Sequence, residues 1–254
     1  RWNHLFSNKL FSNTTLTYSR YNFHTDFGVN ATQSTSLGNE NTSIDFSYIS
    51  GIEDLGARID FDYAPSPNQD IKFGTSYTYH QFFPGETSLN IAANYADSTP
   101  NFSLDTLLNF SGNTNVHELF FYLENNIQFT QRLKANVGMH VGYYSLANNS
   151  TSTNESLFTK INDKKNYSFQ PRISARYLLT DDWSVKASYA QMQQNIHLLS
   201  NSSVGFPSDI WVPAIEQVPS QSSEQIAGGF STQFNKGQFE LSIEGYYKTM
   251  DNLI

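Results

Sequence analysis

Six histidines, His4, His24, His80, His117, His140 and His197, are the first residues to weigh for chemistry. A neutral imidazole serves as a general base and as a common metal ligand. Their spacing suits neither role, because no His-Glu-x-x-His or other paired arrangement occurs and no cysteine is present to complete a zinc site. No Gly-x-Ser-x-Gly elbow, phosphate-binding loop or dinucleotide fingerprint is present either. The sequence therefore predicts no catalytic residue, no metal and no cofactor. With 15 Lys+Arg against 23 Asp+Glu, a net charge of -8 and no basic stretch, it also argues against a nucleic-acid partner. Asn-x-Ser/Thr triplets such as Asn148 to Ser150 arise by chance in so polar a chain and do not imply glycosylation.

The charged residues acquire meaning from the elements that carry them. "VHELFFYLENNIQF" sets Leu119, Phe121, Leu123, Ile127 and Phe129 on one face, against Glu118, Tyr122, Glu124, Asn126 and Gln128 on the other. "LKANVGMHVGYY" and "RISARYLLTDDWSVKASYA" alternate in the same way, which is the pattern of strands with one apolar side. This parity sends Arg58, Asp60, Asp62, Lys72, Glu118, Glu124, Lys134, Arg172, Arg176, Lys186, Glu240 and Glu244 to the polar side. Aromatics are 15% of residues, with 20 Phe and 15 Tyr, while hydropathy is negative overall. A barrel wall has this composition when lipid-facing apolar residues alternate with polar ones facing the lumen. An Arg or Lys on the lipid face would cost roughly 2–4 kcal/mol near the midplane, so sorting the charges to one face supports that wall.

The connections fall into two classes. "TQR", "TDD", "NKG" and "PSPNQ" are tight reversals built from turn-forming residues. At the other strand ends, residues 25 to 41, 83 to 115, 147 to 165 and 192 to 222 read as long Ser/Thr/Asn-rich loops. Short turns at one end and long loops at the other is the asymmetry of an outer-membrane barrel. Phe129, Trp183, Phe234 and Phe239 flank the short turns and are expected to form an aromatic girdle at one membrane interface. In "SIDFSYISGIEDLGARIDFDY" the apolar residues move from even positions (Ile44, Phe46, Tyr48) to odd ones (Ile59, Phe61, Tyr63). We read one strand from about Thr42 to Tyr63, with a β-bulge at Gly51 or Gly56. Arg20 shares parity with Leu16 and Tyr18 and is expected to lie above the lipid.

The outer loops are the expected source of ligand contacts. "QNIHLLSNSSVGFPSDIWVPAIEQVP" carries Phe206, Asp209 and Trp211 between prolines, a constrained aromatic segment suited to a binding site. The plainer role of Phe206 and Trp211 is to pack that loop onto the barrel rim. For the inward charges Asp60, Asp62, Glu118, Glu124, Arg172, Arg176, Lys186, Glu240 and Glu244, the plainer role is hydrogen bonding to whatever fills the lumen.

"RWNHLFSNKLFSNTTLTYSRY", "DFDYAPSPNQDIKFGTSYTYHQFFPG" and "PRISARYLLTDDWSVKASYAQMQQNIHLLSN" resemble the barrel of TonB-dependent outer-membrane receptors, especially those of Bacteroides-type bacteria. "KASYAQMQQNIHLLSN", followed by "DIWVPA" and "SEQIAGGF", is the most specific part of a similarity that runs over nearly the whole chain. The resemblance implies a barrel of about 22 strands closed by an N-terminal plug. It also implies active import of a scarce ligand, driven by an inner-membrane TonB complex acting on a short N-terminal box. On this reading residues 1–254 are about ten antiparallel strands of one outer-membrane barrel domain, without the plug or the TonB box. Outer-membrane lipid, the plug, the remaining strands and the TonB complex are the partners, and a surface lipoprotein is a further one. The ligand stays open among an iron chelate, a cobalamin, an oligosaccharide and a peptide. Rival readings are a small closed barrel acting as a protease or lipase, a soluble β-sandwich adhesin, and a barrel that scaffolds surface lipoproteins.

Overall fold

The structure is a computed structural model that describes residues 1–36, 38–94, 102–109, 114–148, 163–201, 208–234 and 237–253. Its elements are β1 (Trp2–Ser7), β2 (Leu10–Thr35), β3 (Gly38–Ser66), β4 (Gln69–Asn94), β5 (Phe102–Asn109), β6 (Thr114–Gln128) and β7 (Leu133–Asn148). They continue with β8 (Lys164–Leu178), β9 (Trp183–Gln194), β10 (Ile196–Asn201), β11 (Ser208–Pro213), β12 (Gln221–Phe234) and β13 (Phe239–Asp251). All pairings are antiparallel. The main sheet runs β1-β2-β3-β4-β6-β7-β8-β9-β12-β13, β5 branches from β4, and β10–β11 form a separate hairpin. With β1 at one end of the path and β13 at the other, the sheet is an open section of wall among the described residues, not a small closed barrel.

The tight reversals are built alike. In the β6–β7 turn the Thr130 hydroxyl accepts from the amides of Arg132 (3.2 Å) and Leu133 (2.9 Å). In the β8–β9 turn Thr180 accepts from Asp182 (3.3 Å) and Trp183 (3.1 Å) in the same way. Gly237, at φ 82°, supplies the left-handed residue of the β12–β13 turn.

Register fixes the two faces. Arg58, Asp60 and Asp62 share a side with Lys72, Tyr122, Glu124, Arg172 and Lys186 through successive cross-strand pairs. On the opposite side lie Leu16, Leu55, Ile59, Phe121, Leu123, Val137, Met139, Ile173 and Ile243, all exposed. An apolar outer face over a polar inner one excludes the soluble sandwich, whose apolar faces are buried against each other. On β3 the outward band from Leu55 to Tyr63 is nine residues long, matching the roughly 9–11 residues of a tilted spanning strand.

At one height the apolar face changes sides. Below it, β2, β3 and β4 point Leu16, Tyr18, Leu55, Tyr77 and Tyr79 outward. Above it, the inward side carries Phe23, Phe27, Val29, Ile44, Phe46, Ile52, Phe82, Leu89 and Ile91. Between the two, the outer face holds the ion pair Arg20 Nε to Glu53 Oε1 at 3.0 Å, with Gln81 beside Glu53. A charge pair on the outer face belongs where lipid gives way to water, so this row marks the outer edge of the membrane.

The inversion corrects the expected bulge in β3. The β2–β3 ladder runs unbroken from Leu10↔Tyr63 to Thr35↔Gly38, so neither Gly51 nor Gly56 hosts a bulge. The apolar residues change parity because β3 leaves the membrane, where lipid lies outside, and enters water, where the apolar side turns inward. The extra residue sits in β4, between Phe83 and Glu86, opposite Ile49 and Gly51. Pro84 and Gly85 occupy it, and a proline without a donor fits at a bulge. The expected loops at 25 to 41 and, where it is described, 83 to 115 are also corrected, since β2, β3 and β4 continue far beyond the membrane edge and β4 pairs with β5, while most of the expected loop at 147 to 165 lies outside the described residues. From Tyr21 to Thr35 β2 rises roughly 45 Å at about 3.3 Å per residue.

Phe121 lies in the middle of the outward band. In the refolded full-length protein, F121R is expected to cost about 2–4 kcal/mol, read as the denaturant midpoint of the heat-modifiable species. Ser76→Lys, on the inner face next to it, is expected to cost less than about 1 kcal/mol by the same measurement.

Candidate functional site

The outer half of the inner face is covered by the β10–β11 hairpin. Ile52, Phe82, Val116, Tyr144 and Leu146, from β3, β4, β6 and β7, form a buried apolar cluster with Ala214, and Ile196, Trp211 and Ile215 pack against it. Polar contacts pin the same segment. Tyr144 Oη donates to the Ala214 carbonyl at 2.8 Å, Lys164 Nζ donates to the Ile215 carbonyl at 2.8 Å, and Asn195 Nδ2 donates to Glu118 Oε1 at 2.9 Å. The Ala214 amide closes the hairpin base onto the Asn195 carbonyl at 2.7 Å. Buried beneath it, His80 bridges two carboxylates, with Nδ1 at 2.7 Å from Asp54 Oδ1 and Nε2 at 3.5 Å from Glu118 Oε2. The two carboxylates lie on opposite edges of the ring and do not converge on a common point. No group of three or more ligating side chains suited to a metal ion occurs among the described residues.

His197 lies in the hairpin and is buried, and neither ring nitrogen has a hydrogen-bond partner among the described residues. Burial, with Lys164 adding to it, holds its imidazole below the ordinary histidine value. Trp211 packs edge to face on Tyr21 at 6.2 Å between ring centroids. Asp209, in β11, pairs through its backbone with Ser200 of β10, and Phe206 lies outside the described residues. Trp211 therefore packs the hairpin onto the inner wall.

Toward the short turns the inner face is polar and open. Asp60 accepts from Arg58 Nε at 2.8 Å and from the Tyr122 hydroxyl, and Arg58 lies 5.5 Å from the Tyr122 ring centroid. Tyr122 reaches across because its partner is Gly74, where a Cβ would come within 2.8 Å of the ring. Lys72 pairs with Asp62 at 3.6 Å, and Glu124 accepts from Asn136 Nδ2 at 2.6 Å. Arg172 continues the Glu124 row through Gly138, and its Nε is buried without a hydrogen-bond partner among the described residues. The next row brings Lys134, Arg176 and Lys186 side by side across β7, β8 and β9, where Glu244 pairs with Lys186 and Glu240 lies nearer the turn. These cations border a cavity of about 750 Å³ floored by small polar residues such as Asn126, Ser174 and Ser188. The sequence listed these charges separately, and strand pairing joins three cations into one row.

Phe129, Trp183, Phe234 and Phe239 all lie exposed on the outer face beside the short turns, Phe234 and Phe239 stacked at 6.1 Å. The opposite margin of the outward band is marked by tyrosines. Tyr77 Oη is 2.8 Å from His117 Nδ1, Tyr79 packs on the same imidazole, and Tyr143 meets Tyr167 at 5.1 Å. This second ring, missed in the sequence, was signalled by tyrosines one strand length away from the turn aromatics.

A family model described as TonB dependent receptor-like, beta-barrel matches residues 1–254. No curated protein matches the chain in sequence. Among solved structures, BauA, the ferric preacinetobactin receptor from Acinetobacter baumannii, is 14% identical with a TM-score of 0.51, covering 96% of this chain and 35% of that one. FpvA of P. aeruginosa bound to heterologous pyoverdines is 15% identical with a TM-score of 0.59, covering 97% and 31%. The RagAB peptide transporter is 9% identical with a TM-score of 0.56, covering 96% and 28%. At these identities the likeness is one of fold, and the chain spans about a third of the length of these proteins.

Two outcomes follow from the hairpin's anchoring. E118A removes the acceptor of Asn195 and an ion-pair partner of His80, a loss of about 1–3 kcal/mol locally. Hydrogen exchange at the Ala214 amide should accelerate by about ten-fold or more. Because the folded His197 binds its proton less readily than an unfolded histidine, lowering the pH through about 6.5 works against the docked hairpin. Between pH 7.5 and 5, exchange in β10 corrected for its intrinsic rate should rise in the native protein more than in H197Q.

Proposed function

From the chain's membership of the TonB-dependent receptor-like β-barrel family, which places it in the outer membrane, we propose that residues 1–254 form part of the wall of a ligand-importing receptor. The observation that carries this reading is the pairing of an apolar outer face with a polar, charged lumen, bounded by the Arg20–Glu53 pair at one edge and turn-flanking aromatics at the other. The receptor binds a scarce ligand at the cell surface and passes it to the periplasm, with energy delivered by the TonB complex. No covalent step is assigned to it, in keeping with relatives that are receptors and transporters.

Within this reading the two halves of the lumen have different tasks. The cavity beside Lys134, Arg176 and Lys186 supports docking of a plug that presents carboxylates, since among the described residues only Lys186 of these three cations has an ion-pair partner, Glu244. Asp60, Asp62, Glu118, Glu124, Arg172 and Glu240 supply further polar contacts along that wall. The outer half, roofed by the hairpin with Trp211, supports ligand contact from the segment carrying Phe206, Asp209 and Trp211. A Bacteroides-type receptor with a surface lipoprotein partner is the finer form of the same reading, supported by the sequence resemblance and by the likeness in fold to the RagAB peptide transporter. An iron chelate, a cobalamin, an oligosaccharide and a peptide are the ligand classes to compare.

Purified full-length receptor assayed against one representative of each class is expected to bind one of them. Uptake of that ligand by cells should fall to background when either the receptor or TonB is deleted. Uptake that survives loss of TonB would contradict active import.

A further inference from the structure

Above the membrane edge the axis-facing side of β2, β3 and β4 is a largely apolar surface, with Thr25, Thr42, Tyr48 and Ser50 among its polar members. Phe23, Phe27, Val29, Ile44, Phe46 and Leu89 lie on it, and no charged residue shares it between Phe23 and Ala31 or between Thr42 and Ser50. The reverse side of the same strands carries His24, Asp26 and Asp45, with His24 Nε2 2.9 Å from Asp26 Oδ1. The polar side is already suited to water. The apolar side still exposes Phe27 by 46%, Val29 by 43% and Ile44 by 39%. These residues stand beyond the Arg20–Glu53 row, so lipid does not cover them.

Two features point to the occupant. The surface is the upward continuation of the Ile52–Phe82 cluster, and that lower part is covered by an outer loop of the same wall, the β10–β11 hairpin, folded inward. It is also a sheet face several strands wide, so it matches another backbone segment better than a small solute. A barrel of which this chain is about a third has its remaining strands, and their outer loops, on the opposite side of the axis toward which this face looks. We infer that the apolar face of the β2–β3–β4 extension is the docking surface for an outer loop of the same receptor polypeptide, contributed from beyond residues 1–254. That loop folds inward over the mouth and is apolar and uncharged on the side it buries. The inference rests on the chain being part of a larger receptor barrel.

Full-length receptor, purified in detergent free of other proteins and otherwise without cysteine, tests it through single cysteines. Val29→Cys and Ile44→Cys sit on the apolar face, while Asn30→Cys and Asp45→Cys sit on the reverse of the same strands. A bulky water-soluble maleimide is expected to modify the first pair at least ten-fold more slowly than the second. Equal rates on the purified receptor overturn the inference. Equal rates there combined with slow modification on intact cells also overturn it, and assign the face to a second protein instead. Heat-modifiability of the same preparation separates the two claims, since an unmodified receptor that shows no heat-resistant barrel contradicts the barrel reading itself.

Discussion

A bilayer core offers no hydrogen bonds to the backbone and no reward for exposing charge, and that single constraint organises this chain. Every strand in the hydrocarbon must pair with its neighbours, and antiparallel ladders run from β2 to β12, with the β4 bulge lying above the membrane edge and the β8–β9 ladder covering Arg172 to Leu178. Each must also present apolar atoms outward, the reverse of a soluble sheet. Where the bilayer ends, the requirement reverses. The Arg20–Glu53 pair stands on the outer face at that height, and above it Phe23, Phe27, Ile44 and Phe46 turn toward the axis. One sheet thus obeys two solvents, and the change of face is set by the height of the membrane.

The lumen follows from the same constraint. Polar side chains excluded from the lipid face collect inside, where they need partners or space for them. Near the outer edge the space is filled from within the chain, because β10–β11 lays Ile196, Trp211, Ala214 and Ile215 over an inward apolar cluster and ties itself to Glu118, Tyr144 and Lys164. Near the short turns the row Lys134, Arg176 and Lys186 borders an open cavity instead. One half of the wall is apolar and roofed, while the other sets a row of three cations beside a cavity, which is a reason to expect different partners for the two.

Sequence alternation revealed the wall between β6 and β9 well, because tight turns such as "TQR" and "TDD" lock register and leave each apolar residue a single place to go. The same reasoning misplaced the irregularity in β3. It took apolar residues as a marker of the lipid side throughout, so the passage from Ile59, Phe61 and Tyr63 to Ile44, Phe46 and Tyr48 read as a bulge. In β4 the outward Tyr77 and Tyr79 and the inward Leu89 and Ile91 all hold odd positions because the bulge at Pro84–Gly85 lies between them, and only Phe82 betrays the change of face in parity. Ser, Thr and Asn over residues 25 to 41 suggested loops, yet strands paired above the membrane can carry them on their watery side. The hairpin at 196 to 213 was singled out for its aromatics. That it lies inward was invisible, since its partners Ile52, Phe82 and Tyr144 are far away in sequence.

The account depends most on where the apolar face changes sides. With full-length receptor reconstituted in lipid vesicles, single fluorophores on Leu55→Cys and Ile44→Cys would be compared for quenching by a lipid-borne and a water-borne quencher. Strong lipid-borne quenching is expected at position 55 and none at position 44, although both residues are apolar and belong to one unbroken strand. Lipid-borne quenching at both would contradict it, and would return β3 to a strand that keeps its apolar side against the membrane along its whole length.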